Sequence, residues 1–403
     1  MPSNAKAPMK RPVKLLEEFG IDPHTGFLPN PPPTKHLPKY YEPWEYIVDN
    51  LNAFLVSGAI RERVRKLEIL SLEYLSGIGE QRRAYCILSF IAHAYIYGVA
   101  NADAVDPVLP ESIAIPWFEI AKILQVKPVV SYASVGLWNW YLLDSNGPKD
   151  LSGSFDESWF YLVPLGIEVV GAPFISAAVD AQSAVLANDE STVLKNVGLM
   201  ADSIDEMAKL LPRMYEKCDA QVFLKRVRQY SGGSKNNSLM PHGVFYTGVT
   251  EMDQHVNLSQ EAPSGLTGTW RKYAGASAGQ SPLIHLIDAA LSIQHTVMKQ
   301  GAPVNPMLEM IQALPLDLQE FIQLVREGPS IRDFCLNSLN SNLKAQFNRT
   351  LVNLKQFRDK HMQLATRYIV VHQKEPAAVG TGGTDLVPFL KQVRQETIDT
   401  SIP

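Results

Sequence analysis

Apolar residues recur at Leu343, Phe347, Leu351, Leu354, Phe357, Leu364 and Tyr368, and no glycine or proline interrupts residues 340–373. Steps of three, four and seven lay these side chains along one face of a single long helix, which must be covered by other elements. A chain of 403 residues that opens such a face has to be built around packed helices. His361 falls on the stripe, four residues after Phe357 and three before Leu364. An imidazole there is either a hydrogen-bonded core residue or a metal ligand. His93, in "SFIAHAYIYG", sits in an equally apolar segment and competes for either part. Arg358 stands one turn before His361, and a cation beside a buried imidazole suits an anionic group held nearby.

Helical spacing also covers 174–187, 192–217, 220–230, 282–299, 316–326 and 385–397, while alternating strand patterns are few and short. The expected class is mostly α. A large all-helical domain is expected over 149–403, preceded by a smaller, mainly helical domain over 1–148. The polar stretch "SNGPKDLSGS", residues 145–154, is the expected boundary. Residues 1–45 contain "LPNPPPTKHLP" and are expected to wrap the surface as an extended arm.

Net charge is −4, and basic residues alternate with acids, so neither nucleic acid nor membrane is expected as a partner. Cys86, Cys218 and Cys335 form no C-x-x-C pair and read as free thiols. Residues 1–20 lack an apolar signal core, so a cytoplasmic protein is expected. The longest apolar run, "FYLVPLGIEVVGAPFISAAV", carries Pro164, Glu168 and Pro173 and reads as a buried helix rather than a membrane span.

Two segments hold unusual amounts of glycine, "RKYAGASAGQS" at 271–281 and "AVGTGGTD" at 378–385. Neither is a phosphate loop in a βαβ unit, so a nucleotide fold is not supported. They read either as flexible connections or as backbone that approaches or closes over a bound group. Zinc is disfavoured, because no H-E-x-x-H or cysteine quartet occurs. His285 and Asp288 share a helix face and would need a third ligand to hold non-haem iron. C-x-x-C-H is absent, so any haem would be held non-covalently, with Arg358 placed to meet a haem carboxylate. "GASAG" at 275–279 matches G-x-S-x-G, and Ser277, Asp288 and His361 follow the Ser…Asp…His order of hydrolases. The preceding "PSGLTGTWRKY" does not read as a buried strand, so a serine nucleophile is not expected.

With "GASAGQS", "FRDKHMQLATRYI" and "GTGGTD" in this order, the chain resembles the indoleamine 2,3-dioxygenase family over nearly its whole length. "LPESIAIPWFEIAKIL" and "KPVVSYASVGLWNW" look like the family's small domain; "WFYLVPLGIE", "RVRQYSGG" and "PSIRDF" look like its large haem-binding domain. The resemblance implies a cytoplasmic, monomeric enzyme with one haem b. It would insert both atoms of O₂ across the indole C2–C3 bond of L-tryptophan. The product would be N-formyl-L-kynurenine, the first step of the kynurenine pathway, and a reductant would keep the iron ferrous.

By the same resemblance, His361 is the proximal ligand and Arg228, in "VFLKRVRQY", holds the substrate carboxylate. Phe223 and Leu224 contact the indole, and Tyr132 and Phe160 line the pocket. Ser277 and Ala278 run along the haem edge. Thr381 and Gly382 belong to a loop closing over the substrate, and Asp288 pairs with Arg358 at the propionate edge. Arg228, Ser277 and Thr381 are the expected catalytic set. From residue type alone, Arg228 reads equally as a solvated arginine beside Arg226, and Tyr132 and Phe160 as core aromatics. The chain departs from the family at Leu224 (usually aromatic), Pro164 (usually serine), Val135 (usually cysteine) and Ala276 (usually glycine). Those departures keep open an alternative, an O₂-binding, myoglobin-like protein of the same fold that does not turn over tryptophan.

Overall fold

The expected long helix forms over Ser341–Tyr368, and Leu343, Phe347, Leu351 and Leu354 are fully buried along it. Asn340 starts it by accepting the Asn342 N–H at 3.0 Å, as an N-cap should. The structure is a computed structural model and describes residues 12–99, 104–140, 155–299, 302–372 and 386–403. In chain order the main helices are α1 (Pro12–Glu18), α2 (Gly77–Tyr97), α3 (Glu111–Ile123), α4 (Phe155–Leu186) and α5 (Glu190–Leu210). They continue with α6 (Pro282–Ala290), α7 (Pro306–Ile311), α8 (Leu316–Glu327), α9 (Ser341–Tyr368) and α10 (Leu386–Asp399). The fold is mostly α, as expected.

Helix α5 lies between α4 and α9, and α9 packs against α10 on its far side. Helix α4 joins the apolar run expected as a buried helix and the helical pattern over 174–187 into one helix that continues through Pro164 and Pro173. Each internal proline costs about 3 kcal/mol relative to alanine, and burial of Phe174, Ile175, Ala178 and Val179 offsets it. By length and composition alone α4 could cross a membrane. In the fold its buried face packs on α5, α1 and α6.

Around α2, whose residues Arg83–Tyr97 are all buried, the N-terminal segments assemble. A three-stranded sheet joins this part to the rest. Strand β1 (Val108–Leu109) pairs in parallel with β2 (Val244–Thr247), and β2 pairs antiparallel with β3 (Gly268–Arg271), placing Phe245 opposite Trp270. The expectation that no strand precedes "GASAG" is thus corrected, because β3 is one. The helix expected over 282–299 also stops early, at Ala290. Ser292 takes a left-handed φ of 59°, which ends a helix. Val297–Lys299 then pairs with Ala302–Val304.

The proline-rich arm is less free than its composition suggested. Leu15 and Leu16 of α1 are buried, α1 packs on α4, and the rings of Phe19 and Phe27 reach Phe321 of α8 at 5.5 and 6.1 Å. Residues 29–36 contain no buried residue and run across the surface. The expected boundary at 145–154 lies outside the described residues.

Candidate functional site

The segments "RVRQYSGG" and "YAGASAGQS" cross each other backbone to backbone. Ala276 N–H donates to Ser231 O at 2.9 Å and Lys235 N–H to Tyr273 O at 2.9 Å. At the crossing, a Cβ on Gly275 would lie 2.2 Å from Ser231 O, and one on Gly233 would lie 2.3 Å from Gly275 N. No side chain fits at either position, which explains both glycines. The close approach is therefore between two parts of the chain itself. It sets Arg228, one turn before Ser231, beside the loop that carries Ser277 and Ala278.

The helix expected over 220–230 is broken into three pieces. Phe223–Val227 is a wide π turn between short α-helical stretches at Ala220–Val222 and Arg228–Ser231. A second π turn, Ala133–Leu137, follows Tyr132 directly. Such turns shift the following side chains off α-helical register and are frequent at functional sites. Phe223 is buried with its ring 4.6 Å from Phe160 and 5.7 Å from Tyr368, so α4, the π turn and α9 meet in one aromatic cluster. Leu224 and Arg228 are half-buried, whereas Arg226 is exposed. Burial pushes the Arg228 guanidinium below its usual range.

The two apolar histidines turn out differently. His93 accepts the Val130 N–H on Nε2 at 3.2 Å, so its Nδ1 donates to Tyr230 O at 2.7 Å. Both nitrogens are satisfied, and burial depresses its pKa to about 4. It is a core histidine. His361 makes no hydrogen bond to any described residue. Burial and Arg358 push it below its usual range, yet the residue as a whole is only half-buried. Its neighbours agree: the stripe is fully buried up to Leu354 but loosens to 8% exposure at Phe357 and Leu364.

One turn before His361, Arg358 donates to Asp288 at 2.5 Å, to Val393 O at 3.0 Å and to Thr397. The other Asp288 oxygen meets His295 Nε2 at 2.9 Å, and His295 Nδ1 meets Glu396 at 2.6 Å. The network joins α6, α9 and α10. Although Asp288 is buried, Arg358 and His295 hold its carboxyl well below the usual range. Burial disfavours charge on His295, but Asp288 holds it above its ordinary value. Asp288 is thus engaged on both oxygens, and no group of three potential metal-binding side chains forms among the described residues. His285 and Asp288 therefore find no third iron ligand among the described residues. The hydrolase arrangement does not form either. Ser277 Oγ accepts the Gly279 N–H at 3.2 Å, and His361 touches neither it nor Asp288 by a hydrogen bond. Thr381 and Gly382 lie outside the described residues.

A sequence profile of the indoleamine 2,3-dioxygenase family matches residues 15–400. The chain belongs to that family. It is 33% identical to an indoleamine 2,3-dioxygenase of Saccharomyces cerevisiae, over 97% of this chain and 94% of that protein. It is 32% identical to one of Aspergillus nanangensis, over 97% and 98% of the two chains. A 6-hydroxytryptophan 2,3-dioxygenase of Fusarium equiseti is 28% identical over 96% and 97%. As a family member, the chain is an oxidoreductase of the dioxygenase type.

In this indoleamine 2,3-dioxygenase family member one group was missed from sequence and has a strong position. Glu168, buried in α4, accepts from Tyr132 Oη at 2.9 Å and Ser281 Oγ at 2.6 Å, both on Oε1. Its Oε2 is buried with no partner among the described residues. Tyr132 is held at its other end too, its N–H donating to Gln280 Oε1 at 3.0 Å while Gln280 donates to Gly275 O at 2.9 Å. A lone carboxylate inside a 20-residue apolar run was the available signal.

Burial raises Glu168 to about 7, against the two hydrogen bonds that lower it. The folded state therefore binds this proton more tightly than the unfolded chain, whose glutamate titrates near 4.5. Stability from the group is complete below about pH 4.5 and is lost as pH rises through about 7, a difference of roughly 3 kcal/mol. Glu168→Gln, neutral at every pH, should lose less stability than the wild type between pH 5 and pH 8. Parallel denaturation midpoints at the two pH values check this, and equal losses in both proteins would refute it.

Proposed function

We propose that this chain is a haem b dioxygenase that converts L-tryptophan and O₂ to N-formyl-L-kynurenine. The observation that carries the reading is His361, a half-buried imidazole held below its ordinary pKa and without a hydrogen-bonding partner among the described residues. That is the donor a haem iron needs, and His361 would hold the iron, with the Asp288–Arg358 network fixing α9 behind it. Phe160 and the partly buried face of α4 would supply apolar wall. When bound, the haem supplies O₂ activation, while the protein binds, orients and shields the substrate. Arg228, a desolvated planar fork, would take the amino-acid carboxylate. Phe223 and Phe160, whose tilted rings lie 4.6 Å apart, with Leu224 and Tyr132, would flank the indole. Ser277 and Ala278 would line the cofactor's edge. We place the protein in the cytoplasm as a monomer that takes electrons from a cellular reductant.

The test is direct. Purified protein should carry about one haem b per chain with a Soret band, and reduced protein should form N-formylkynurenine from L-tryptophan and O₂. Haem with reversible O₂ binding but no product would establish the oxygen-carrier alternative, which the departures at Leu224 and Pro164 keep open. Running 6-hydroxytryptophan alongside shows whether ring-hydroxylated substrates are preferred. The segment bearing Thr381 and Gly382 is expected to act in turnover rather than cofactor binding. Thr381→Ala, or deletion of Gly382-Gly383, should lower kcat and leave haem content unchanged. Undiminished kcat in the deletion would make the segment a mere connection.

A further inference from the structure

Away from His361, a groove of about 920 Å³ opens between the 234–241 segment, the exit of β3 at Lys272–Ala274, and helix α7. Lys127, Lys235 and Lys272 line it, and Glu309 is the one carboxylate among its lining residues. The groove is thus locally cationic on a chain of net charge −4. Lys235 pairs with Glu309. The Lys127 ammonium, half-buried, makes no hydrogen bond or ion pair among the described residues. Burial pushes it below its usual range and the Lys235 charge pushes the same way, opposed by Glu309 and Asp253. His255 on the same wall is lowered first by burial and then by Lys127. Cations crowded together in a partly desolvated cleft cost free energy unless an anion neutralises them.

The lining also selects the kind of anion. It contains no arginine, so the planar fork that suits carboxylates is absent, whereas ammonium groups act as point charges suited to phosphate. The side-chain amides of Gln254 and Gln312 also line it and offer donors and acceptors for hydroxyl groups, whereas Asn257 is engaged with His242 and Ser259 and the Asn305 oxygen with the Met307 N–H. We infer that this groove is a binding site for a small phosphorylated polyol, with Lys127 and Lys272 as its phosphate ligands. The site stands whether or not the haem reading holds, since none of its residues belongs to that site.

The experiment is calorimetric titration of the full-length protein with glucose 6-phosphate, pyrophosphate and citrate. Saturable 1:1 binding of the two phosphate compounds, with citrate much weaker, is expected. Lys127→Met/Lys272→Met should weaken binding about tenfold or more, as loss of close charge pairs does. Glu309→Gln should strengthen it by freeing Lys235, a gain that a misfolded variant cannot mimic. Hydrogen-exchange protection by glucose 6-phosphate should map to 234–241 and 272–274. The inference fails if no probe saturates by about 10 mM, a level corresponding to under 3 kcal/mol of binding. It fails equally if citrate binds as well as the phosphates, if the lysine and Glu309 variants bind like wild type, or if protection appears only elsewhere.

Discussion

His361→Ala is expected to emerge from purification with little haem and almost no Soret absorption, and with tryptophan turnover lost. The imidazole has no hydrogen-bonding partner among the described residues and is held below its ordinary pKa, which leaves its nitrogen available as the donor. The fold itself should survive. His361 holds no hydrogen-bonding partner among the described residues, so truncation orphans nothing there, and the residue is only half-buried. His93→Ala is the control, and it should behave in the opposite way. Its removal strands the Tyr230 carbonyl and the Val130 N–H in the core, at roughly 1–3 kcal/mol for each group. The His93 variant should therefore lose stability while its folded fraction keeps haem. Full haem and a native spectrum in His361→Ala would return that residue to core filler.

The sequence made α9 legible because its periodicity is long, uninterrupted and one-sided. The same logic located the Asp288–Arg358 pair only through family likeness, since residues 70 positions apart carry no local signal. His295 and Glu396, which complete the network, were invisible for that reason. The breaks were illegible on different grounds. Nothing in "AQVFLKRVRQYS" distinguishes a π turn from an α turn; the insertion comes from tertiary packing of Phe223 on Phe160 and Tyr368. In α4, Pro164 and Pro173 argued locally for ends that burial on α5 overrides. Glu168 was seen as a reason against a membrane span, but its two partners come from segments 36 and 113 residues away. Gly275 lies in a segment that read either as a flexible connection or as backbone approaching a bound group, and its reason, shared with Gly233, is a backbone crossing that no local pattern encodes.

Arg228→Ala tests whether the site is built for an amino acid. Arg228 follows the π turn that carries Phe223, lies half-buried, and is pushed down in pKa by desolvation alone. A guanidinium kept partly out of water is worth its burial if it meets a carboxylate, and a bidentate pair of that kind is strong. Truncation should then cost roughly 2–5 kcal/mol of transition-state stabilisation, a loss in kcat/KM of about 30-fold to a few thousand-fold. Haem content and Soret position should barely move, because the residue does not ligate iron. Arg228→Lys should restore activity only in part, since a point charge lacks the second parallel hydrogen bond. Tryptamine, which lacks the carboxylate, should be a poor substrate for the wild type and lose little more in the variant. Arg226→Ala provides the comparison on the same turn: that side chain is exposed, and its loss should change kcat/KM by no more than about twofold, as for most solvated charges. If Arg228→Ala oxidises L-tryptophan within a few-fold of wild type, the carboxylate is held elsewhere and the arginine is structural. If Arg226→Ala carries the large loss instead, the substrate approaches from the other face of the turn.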